Sequence, residues 1–280
     1  MKKLLMILLV LLMGGTSIAT VAQAQEVKRE ITRVTFDIYR FQNRFHNNMI
    51  VITGDGVVVT DPINAEAASW LRAEIAKLTD EPITHLIYSH SHGDHASGGT
   101  EYGDVPNVIM QQNAPEDIDL VEATKRFSDQ LSFTVGSKTF ELTYLGPGHG
   151  TDMIAMVVQP EAVAFVVDVV SAKRLFYRDF PGADVDQWIQ QVKKVEALDF
   201  DILIGGHGPV GTKMDVSAGI AYLEELRAAV LEGLRAGQSV DELKQTVLME
   251  KYKSWGSYDQ WLELNVQGMA RHLVESGTVK

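Results

Sequence analysis

Cysteine is absent from all 280 residues. That absence excludes disulfides, thiolate metal sites and any cysteine nucleophile. Proline occurs only 8 times, without the clustering that marks a stiff linker. Basic side chains are the minority, 25 against 37 acidic ones, and the formal charge is −12. An acidic balance of this size gives no electrostatic reason to capture nucleic acid. Long hydrophobic runs are missing too: the longest, residues 4–13, is short of the ~20 residues that a membrane-spanning helix requires. What remains is an ordinary globular balance, 45% hydrophobic and 22% charged, long enough to bury a core without staples.

That one short apolar run has a specific context. Lys2 and Lys3 precede it, Gly14 and Gly15 follow, and Ala22-Gln23-Ala24 supplies a small-residue cleavage pattern. The three regions stand in the order of a secretory leader. Residues 1–24 therefore read as a signal peptide cut after Ala24, and the mature protein is expected in the periplasm or secreted. Cleavage would leave no stable membrane anchor.

The rest of the chain alternates strand and helix signals. Residues 31–39 alternate as a strand, and residues 49–53 and 57–60 flank the tight turn Gly54-Asp55-Gly56. Asp61-Pro62 breaks the run, and Asn64 can cap a helix over residues 65–78, where Ala68, Leu71, Ile75 and Leu78 recur at helical spacing. Further strands are predicted over residues 83–88, 131–135, 140–144, 153–158, 162–167 and 202–204, with a helix over 185–198. From Asp215 onward the pattern is helical, with Ile220, Leu223, Leu226, Val230 and Leu234 on one face and later segments at 243–249 and 261–274. No fixed-period repeat or linker interrupts this order, which fits an α/β layered domain over residues 25–214. Residues 215–280 read as a helical extension packed on it, able to cover a site or to form an oligomer face.

The chemistry concentrates where apolar strands stop. After the 83–88 strand comes Ser89-His90-Ser91-His92-Gly93-Asp94-His95. Three imidazoles and a carboxylate within six residues are the donors that suit zinc, manganese or ferrous iron. His90 and His92 point the same way if the segment is extended, and Gly93 permits a bend that turns Asp94 and His95 toward a second position. The same context recurs at His149 in Gly148-His149-Gly150, at Asp168 after Phe165-Val166-Val167, and at His207 in Gly206-His207-Gly208. Five histidines and two aspartates are enough donors for two metals.

This ordered set resembles the metallo-β-lactamase superfamily, over residues 31–211. The resemblance implies an αββα sandwich with the site at one edge of paired sheets. His90, His92 and His149 would bind a first metal, Asp94, His95 and His207 a second, and Asp168 would bridge them. It further implies two Zn2+ per chain, with Mn2+ or Fe2+ allowed by the same donors. A metal-bridging hydroxide would attack an ester, thioester, lactone or amide-type bond of a small-molecule substrate, and Asp94 would orient it and carry its proton.

Branches of the superfamily can be weighed against particular residues. β-Lactamases with a cysteine ligand are excluded, and the flavodiiron branch carries Glu where this chain has His92. A class B-like β-lactamase with only His and Asp ligands is the alternative enzyme, although Asp168 departs from its pattern. Asp168 resembles instead glyoxalase II, the lactonases and the phosphodiesterases. Lys251 and Lys253 are candidates for a glutathione-type anion site, whereas the tyrosine that lactonases place shortly after this aspartate is not matched without a loop change: Ser171 stands three residues beyond Asp168 and Tyr177 nine. A non-catalytic periplasmic metal-binding protein is the alternative of another class. Elsewhere, His46 reads as a surface or supporting residue, His85 as a satisfied core histidine and His272 as surface. The aromatic group Tyr252, Trp255, Tyr258 and Trp261 reads as packing rather than a substrate wall.

Overall fold

The structure is a computed structural model describing residues 27–116 and 120–279. The expected leader and its cleavage after Ala24 lie outside the described residues.

The chain opens as an antiparallel meander: β1 (Arg29–Thr35), β2 (Ile38–Asn43), β3 (His46–Thr53) and β4 (Gly56–Thr60). The single strand expected over residues 31–39 is two, because Phe36 takes a positive φ of 37° and the chain turns there. Helix α1 (Ala65–Leu78) then starts at Asn64, whose side chain accepts from the Ala67 amide at 2.9 Å. Strand β5 (Ile83–Ile87) pairs parallel to β4, and the one-turn helix α2 (Gly93–Ala96) follows it. Strands β6 (Asn107–Gln111) and β7 (Lys125–Phe127) extend the sheet in parallel to seven strands, in sequence order.

The second sheet has six strands. β8 (Gln130–Val135), β9 (Lys138–Tyr144), β10 (Ile154–Gln159) and β11 (Val163–Val166) run antiparallel. After helix α3 (Val185–Ala197), β12 (Ile202–Gly205) returns parallel to β11, and the short β13 (Gly211–Thr212) closes that edge. The helical region follows as α4 (Lys213–Arg235), α5 (Val240–Thr246) and α6 (Tyr258–Glu275). Helix α5 begins earlier than the expected 243 because Ser239 and Glu242 form a capping box.

Alternation along the strands sorts three apolar layers. Met49 and Val51 of β3, Ile87 of β5, Phe140 and Leu142 of β9 and Met156 and Val158 of β10 meet between the sheets. Ile50, Val59 and Leu86 face outward onto Ala67, Ala68, Leu71 and Ile75 of α1. Ala155, Val157, Ala164 and Leu203 face the other way, onto Trp188 and Val192 of α3 and Leu223 and Leu226 of α4. The fold is therefore an αββα sandwich with C-terminal helices, as the sequence implied. The apolar stripe of α4 and much of α6 enter the same outer layer, so this face is spent inside the chain.

The sheets are pinned together at one end. The Asn47 amide donates to Gly206 O at 2.7 Å, and its Nδ2 donates to Gly205 O at 3.0 Å and Gly208 O at 3.1 Å. On the other flank the Ile154 amide donates to Ser89 O at 3.0 Å. These ties fasten the carboxyl end of β12 to β3 and that of β5 to β10 across the sandwich, where ligand-type side chains emerge.

Phe140 is 0% exposed between the sheets, whereas Met214 is 81% exposed at the start of α4. Phe140→Ala is expected to cost about 3–5 kcal/mol of unfolding free energy, and Met214→Ala less than about 0.5 kcal/mol, measured by urea denaturation. A Phe140→Ala cost as small as that of Met214→Ala would contradict this packing.

Candidate metal centre

All seven donors expected from the sequence converge. Each reaches the site by stepping off a strand end or the turn after it: His90 beyond β5, His92 and Asp94–His95 at α2, His149 beyond β9, Asp168 beyond β11, and His207 beyond β12. The bend allowed at Gly93 is realised as α2, in which the His95 amide donates to His92 O at 3.0 Å. That single turn rotates His95 to a second position, away from His90 and His92.

The donors fall into two groups, each with its donor atoms within 4.8 Å of one another: His90, His92, His149 and Asp168, and His46, Asp94, His95 and His207. Asp168 lies between them. Its Oδ2 is 3.8 Å from His90 Nε2 and 3.5 Å from His149 Nε2, while its Oδ1 is 3.0 Å from His207 Nε2 and 3.5 Å from His95 Nε2. One carboxylate oxygen thus faces each group. Asp168 holds this place with a φ of +60°, a left-handed conformation that costs energy in a non-glycine residue and is tolerated where the surroundings fix it.

Supporting contacts set the imidazole orientations. Ser89 Oγ lies 2.9 Å from His90 Nδ1 and 2.6 Å from Asp61 Oδ2, and the Ser89 amide donates to Asp61 Oδ1 at 2.8 Å. Asp61 is wholly buried, and burial pushes its carboxyl up to about 6 against the pull of His95 and Ser89. His207 Nδ1 is 2.8 Å from Phe45 O, which leaves Nε2 turned inward. The His149 amide donates to Gln191 Oε1 at 2.9 Å, and Gln191 Nε2 donates to Gly146 O at 2.5 Å. Gly206 is required by crowding, since a Cβ there would stand 2.6 Å from Val167 Cγ1 and 3.0 Å from His95 Cε1.

The electrostatics fit cations. Burial holds the His90 imidazole well below its ordinary pKa, so it is neutral with a free lone pair, and its buried Nε2 has no hydrogen-bond partner. His92 Nδ1 and His149 Nε2 stand 3.1 Å apart, and His95 Nε2 and His207 Nε2 3.4 Å apart. Two lone pairs at that separation repel unless a proton or cation lies with them. Asp168 resists the burial penalty through His95, His149 and His207 and stays well below the carboxylate range. Burial opposes charge on His95, yet Asp168, Asp61 and Asp94 outweigh it and push the group up to about 9. Imidazole nitrogens around anionic oxygens, with the His95 proton given up to the cation that replaces it, are the donor chemistry of borderline divalent cations, so the residues present fit such ions.

Sequence reasoning passed over Asp61 and Gln191, read His272 as surface, and left His46 between a surface and a supporting role. His46 supports the site directly: its Nε2 is 3.2 Å from Asp94 Oδ2, and this contact holds the Asp94 carboxyl well below the usual carboxylate range. Asp61 carried a visible signal, an acid where the apolar strand β4 stops, and Gln191 carried none because it arrives from α3. His272 is not a free surface group: its Nε2 lies 3.2 Å from Asp186 Oδ2. His85, expected as a satisfied core histidine, is satisfied but only half-buried, 3.0 Å from Thr84 Oγ1 and stacked on Phe133. Lys251 and Lys253 pair with Glu225 and Glu250, outside the cleft.

The donors open into a cleft of about 1040 Å³ whose other walls include Val170, Ser171, Arg174, Phe176, Tyr177 and Trp261. Of the tail aromatics, Tyr252 and Tyr258 are core residues, but Trp261 is a wall of the cleft.

A family model described as the metallo-beta-lactamase superfamily matches residues 42–207. The chain belongs to that superfamily. It is 26% identical over 235 residues to the 2,4-dinitroanisole O-demethylase subunit alpha of Nocardioides sp. (strain JS1661), covering 78% of this chain and 71% of the relative. It is 27% identical over 221 residues to the metallo-beta-lactamase type 2 of Elizabethkingia meningoseptica, covering 71% and 86%. Among solved structures, a metallo-beta-lactamase from Pontibacter korlensis superposes with a TM-score of 0.63 at 18% identity, covering 70% of this chain and 99% of that one. A variant of the sec-alkyl sulfatase PisA1 superposes with a TM-score of 0.69 at 16% identity, covering 89% and 50%. The superfamily membership and the two clusters make this chain a metallo-hydrolase whose substrate is not assigned by either.

Ser89→Ala removes the link between Asp61 and His90. It is expected to weaken zinc binding about 10–100-fold with the fold intact, measured by titration against a chromophoric chelator. Unchanged affinity would mean that His90 is oriented by other contacts.

Proposed function

We infer that this protein is an exported dinuclear metallo-hydrolase that cleaves an ester, thioester, lactone or amide-type bond in a small molecule. The observation that carries the reading is the placement of the two Asp168 oxygens, one toward each donor group. His90, His92 and His149 would hold one zinc ion, Asp94, His95 and His207 the other, with Asp168 shared. Bound there, the ions would supply Lewis acidity and a water acidified toward neutral pH.

The chain's own residues supply the rest. Asp94 is half-exposed to the cleft and kept ionised by His46, so its carboxylate can accept a proton at the reacting centre and pass it to a leaving group. The Asp61–Ser89–His90 chain and the Phe45 carbonyl on His207 fix imidazole directions before substrate arrives, which is the preorganisation that hydrolysis of this kind needs. Val170, Phe176 and Trp261 give the cleft apolar walls for the body of an acyl or aryl group. An open cleft with a mixed polar and apolar lining suits catalysis better than closed metal storage. The amino-terminal leader pattern supports export.

The test is a chelator-controlled panel on purified, metal-loaded protein: an aryl ester, an acyl-thioester, a lactone, a cephalosporin reporter and an activated aryl methyl ether, the last two chosen for the similarity to a metallo-beta-lactamase and an O-demethylase subunit. Turnover of one class is expected, abolished by chelator and reduced at least about 100-fold in Asp94→Asn. Cephalosporin turnover above the others would establish the β-lactamase alternative. Two metals bound with no turnover of any class would favour the metal-binding alternative.

A further inference from the structure

His46 is the imidazole of the centre that the seven donors announced by the sequence do not include. Six of the chain's eight histidines stand in the two donor groups, three in each, and His46 is what makes the second group equal to the first. In the first group the ring centroids of His90, His92 and His149 are 4.5–5.7 Å apart. In the second, those of His46, His95 and His207 are 4.8–5.1 Å apart, with their planes 55–76° to one another. Three rings set steeply around one point are how imidazoles gather on a cation. A residue whose task was only to hold Asp94 would need one contact with that carboxylate and no place in such a triangle.

The donor atoms agree with the rings. His46 Nε2 is 3.2 Å from Asp94 Oδ2, His95 Nε2 is 3.4 Å from His207 Nε2, and Asp168 Oδ1 is 3.0 Å from His207 Nε2. Adjacent ligands of one zinc ion at ordinary bond lengths stand roughly 3.3 Å apart, so His46 Nε2 keeps the spacing of a ligand. The position is also built. His46 opens β3, and the residues on both sides of it are tied to the turn that carries His207. Phe45 O lies 2.8 Å from His207 Nδ1, and Asn47 bonds to Gly205, Gly206 and Gly208 through its side chain and amide. The ties that place His207 therefore carry His46 to the same spot, where its side chain is only 14% exposed.

We propose that His46 is an eighth metal ligand, binding the second ion through Nε2 beside Asp94, His95, His207 and Asp168. The two positions are then unlike, with four protein donors at the first and five at the second. Before loading, His46 Nε2 donates to Asp94 Oδ2; on loading, its proton goes to solvent and its lone pair to the cation. Coordination to the same ion keeps Asp94 ionised as the hydrogen bond does. The proposal rests on the dinuclear part of the hydrolase reading and does not require turnover.

The test is NMR of the protein loaded with a spin-active cadmium isotope and labelled at its imidazole nitrogens, read through cadmium–nitrogen scalar coupling. Two cadmium signals are expected, each coupled to three imidazoles. Two signals of which one couples to only two imidazoles would overturn the proposal and leave the dinuclear reading intact, without needing any variant to fold. A single signal that does not couple to His46 would sink both. His46→Gln, whose side-chain amide can still donate to Asp94, separates ligation from mere support. It should remove one coupling from one signal and weaken zinc binding at the second position about 100-fold or more, with the first position affected far less, measured by titration against a chromophoric chelator. Unchanged affinity at both positions in His46→Gln would also overturn the proposal. Three imidazoles on each cadmium with no turnover of any substrate would sink the hydrolase reading and leave His46 as a ligand.

Discussion

The carboxylate of Asp168 is the constraint around which the centre is arranged. Its side chain is only 12% exposed, it stands in a left-handed conformation, and four imidazole nitrogens from three separate strand ends lie within 3.0–3.8 Å of its two oxygens. Such an anion survives burial only if positive or partly positive charge surrounds it. The histidines need the same carboxylate, since without it their inward nitrogens would face only one another. Everything else at this end of the sandwich keeps that arrangement in register: Asn47 joins β3 to the end of β12, the Ile154 amide joins β10 to Ser89, and Gly206 leaves room for His95.

Much of this was legible in the chain itself. His90, His92, Asp94 and His95 announce a site because four donors in six residues follow a strand, and His149, Asp168 and His207 repeat the strand-end context. The alternation that sorts Met49, Val51 and Phe140 from Ile50 and Val59 is likewise a local pattern. Helix α1 was readable to its cap because Asn64 precedes an unbroken periodic run.

Other features were not readable, for physical reasons. The turn at Phe36 is made by backbone conformation and has no glycine or proline to mark it. Strand β7 is three residues long, too short for alternation to speak. Gln191 and Trp261 reach the site from helices far along the chain, and only tertiary packing decides which face of a helix meets a cleft. Whether His46 was a surface or a supporting residue stayed open in the sequence because its partner, Asp94, lies 48 positions away. The aromatic group of the tail split for the same reason, with Trp261 in the cleft and Tyr252 in the core.

The helical tail consequently has two roles in one construction. Its apolar stripe completes the outer layer against α3, and its clamp on the segment after β11, where Asn265 donates to Phe176 O at 3.0 Å, sets the far wall of the cleft. The shape of the cleft and the packing of the outer layer thus meet in α6, which carries both Trp261 and core residues such as Val266, whereas the donor cluster depends on the sheets. The most direct test of the central claim is equilibrium zinc binding to the unaltered protein and to Asp168→Asn. Two zinc ions per chain are expected in the former, with both affinities falling together in the latter, because one carboxylate serves both groups. Loss of only one ion, or none, in Asp168→Asn would contradict a shared Asp168.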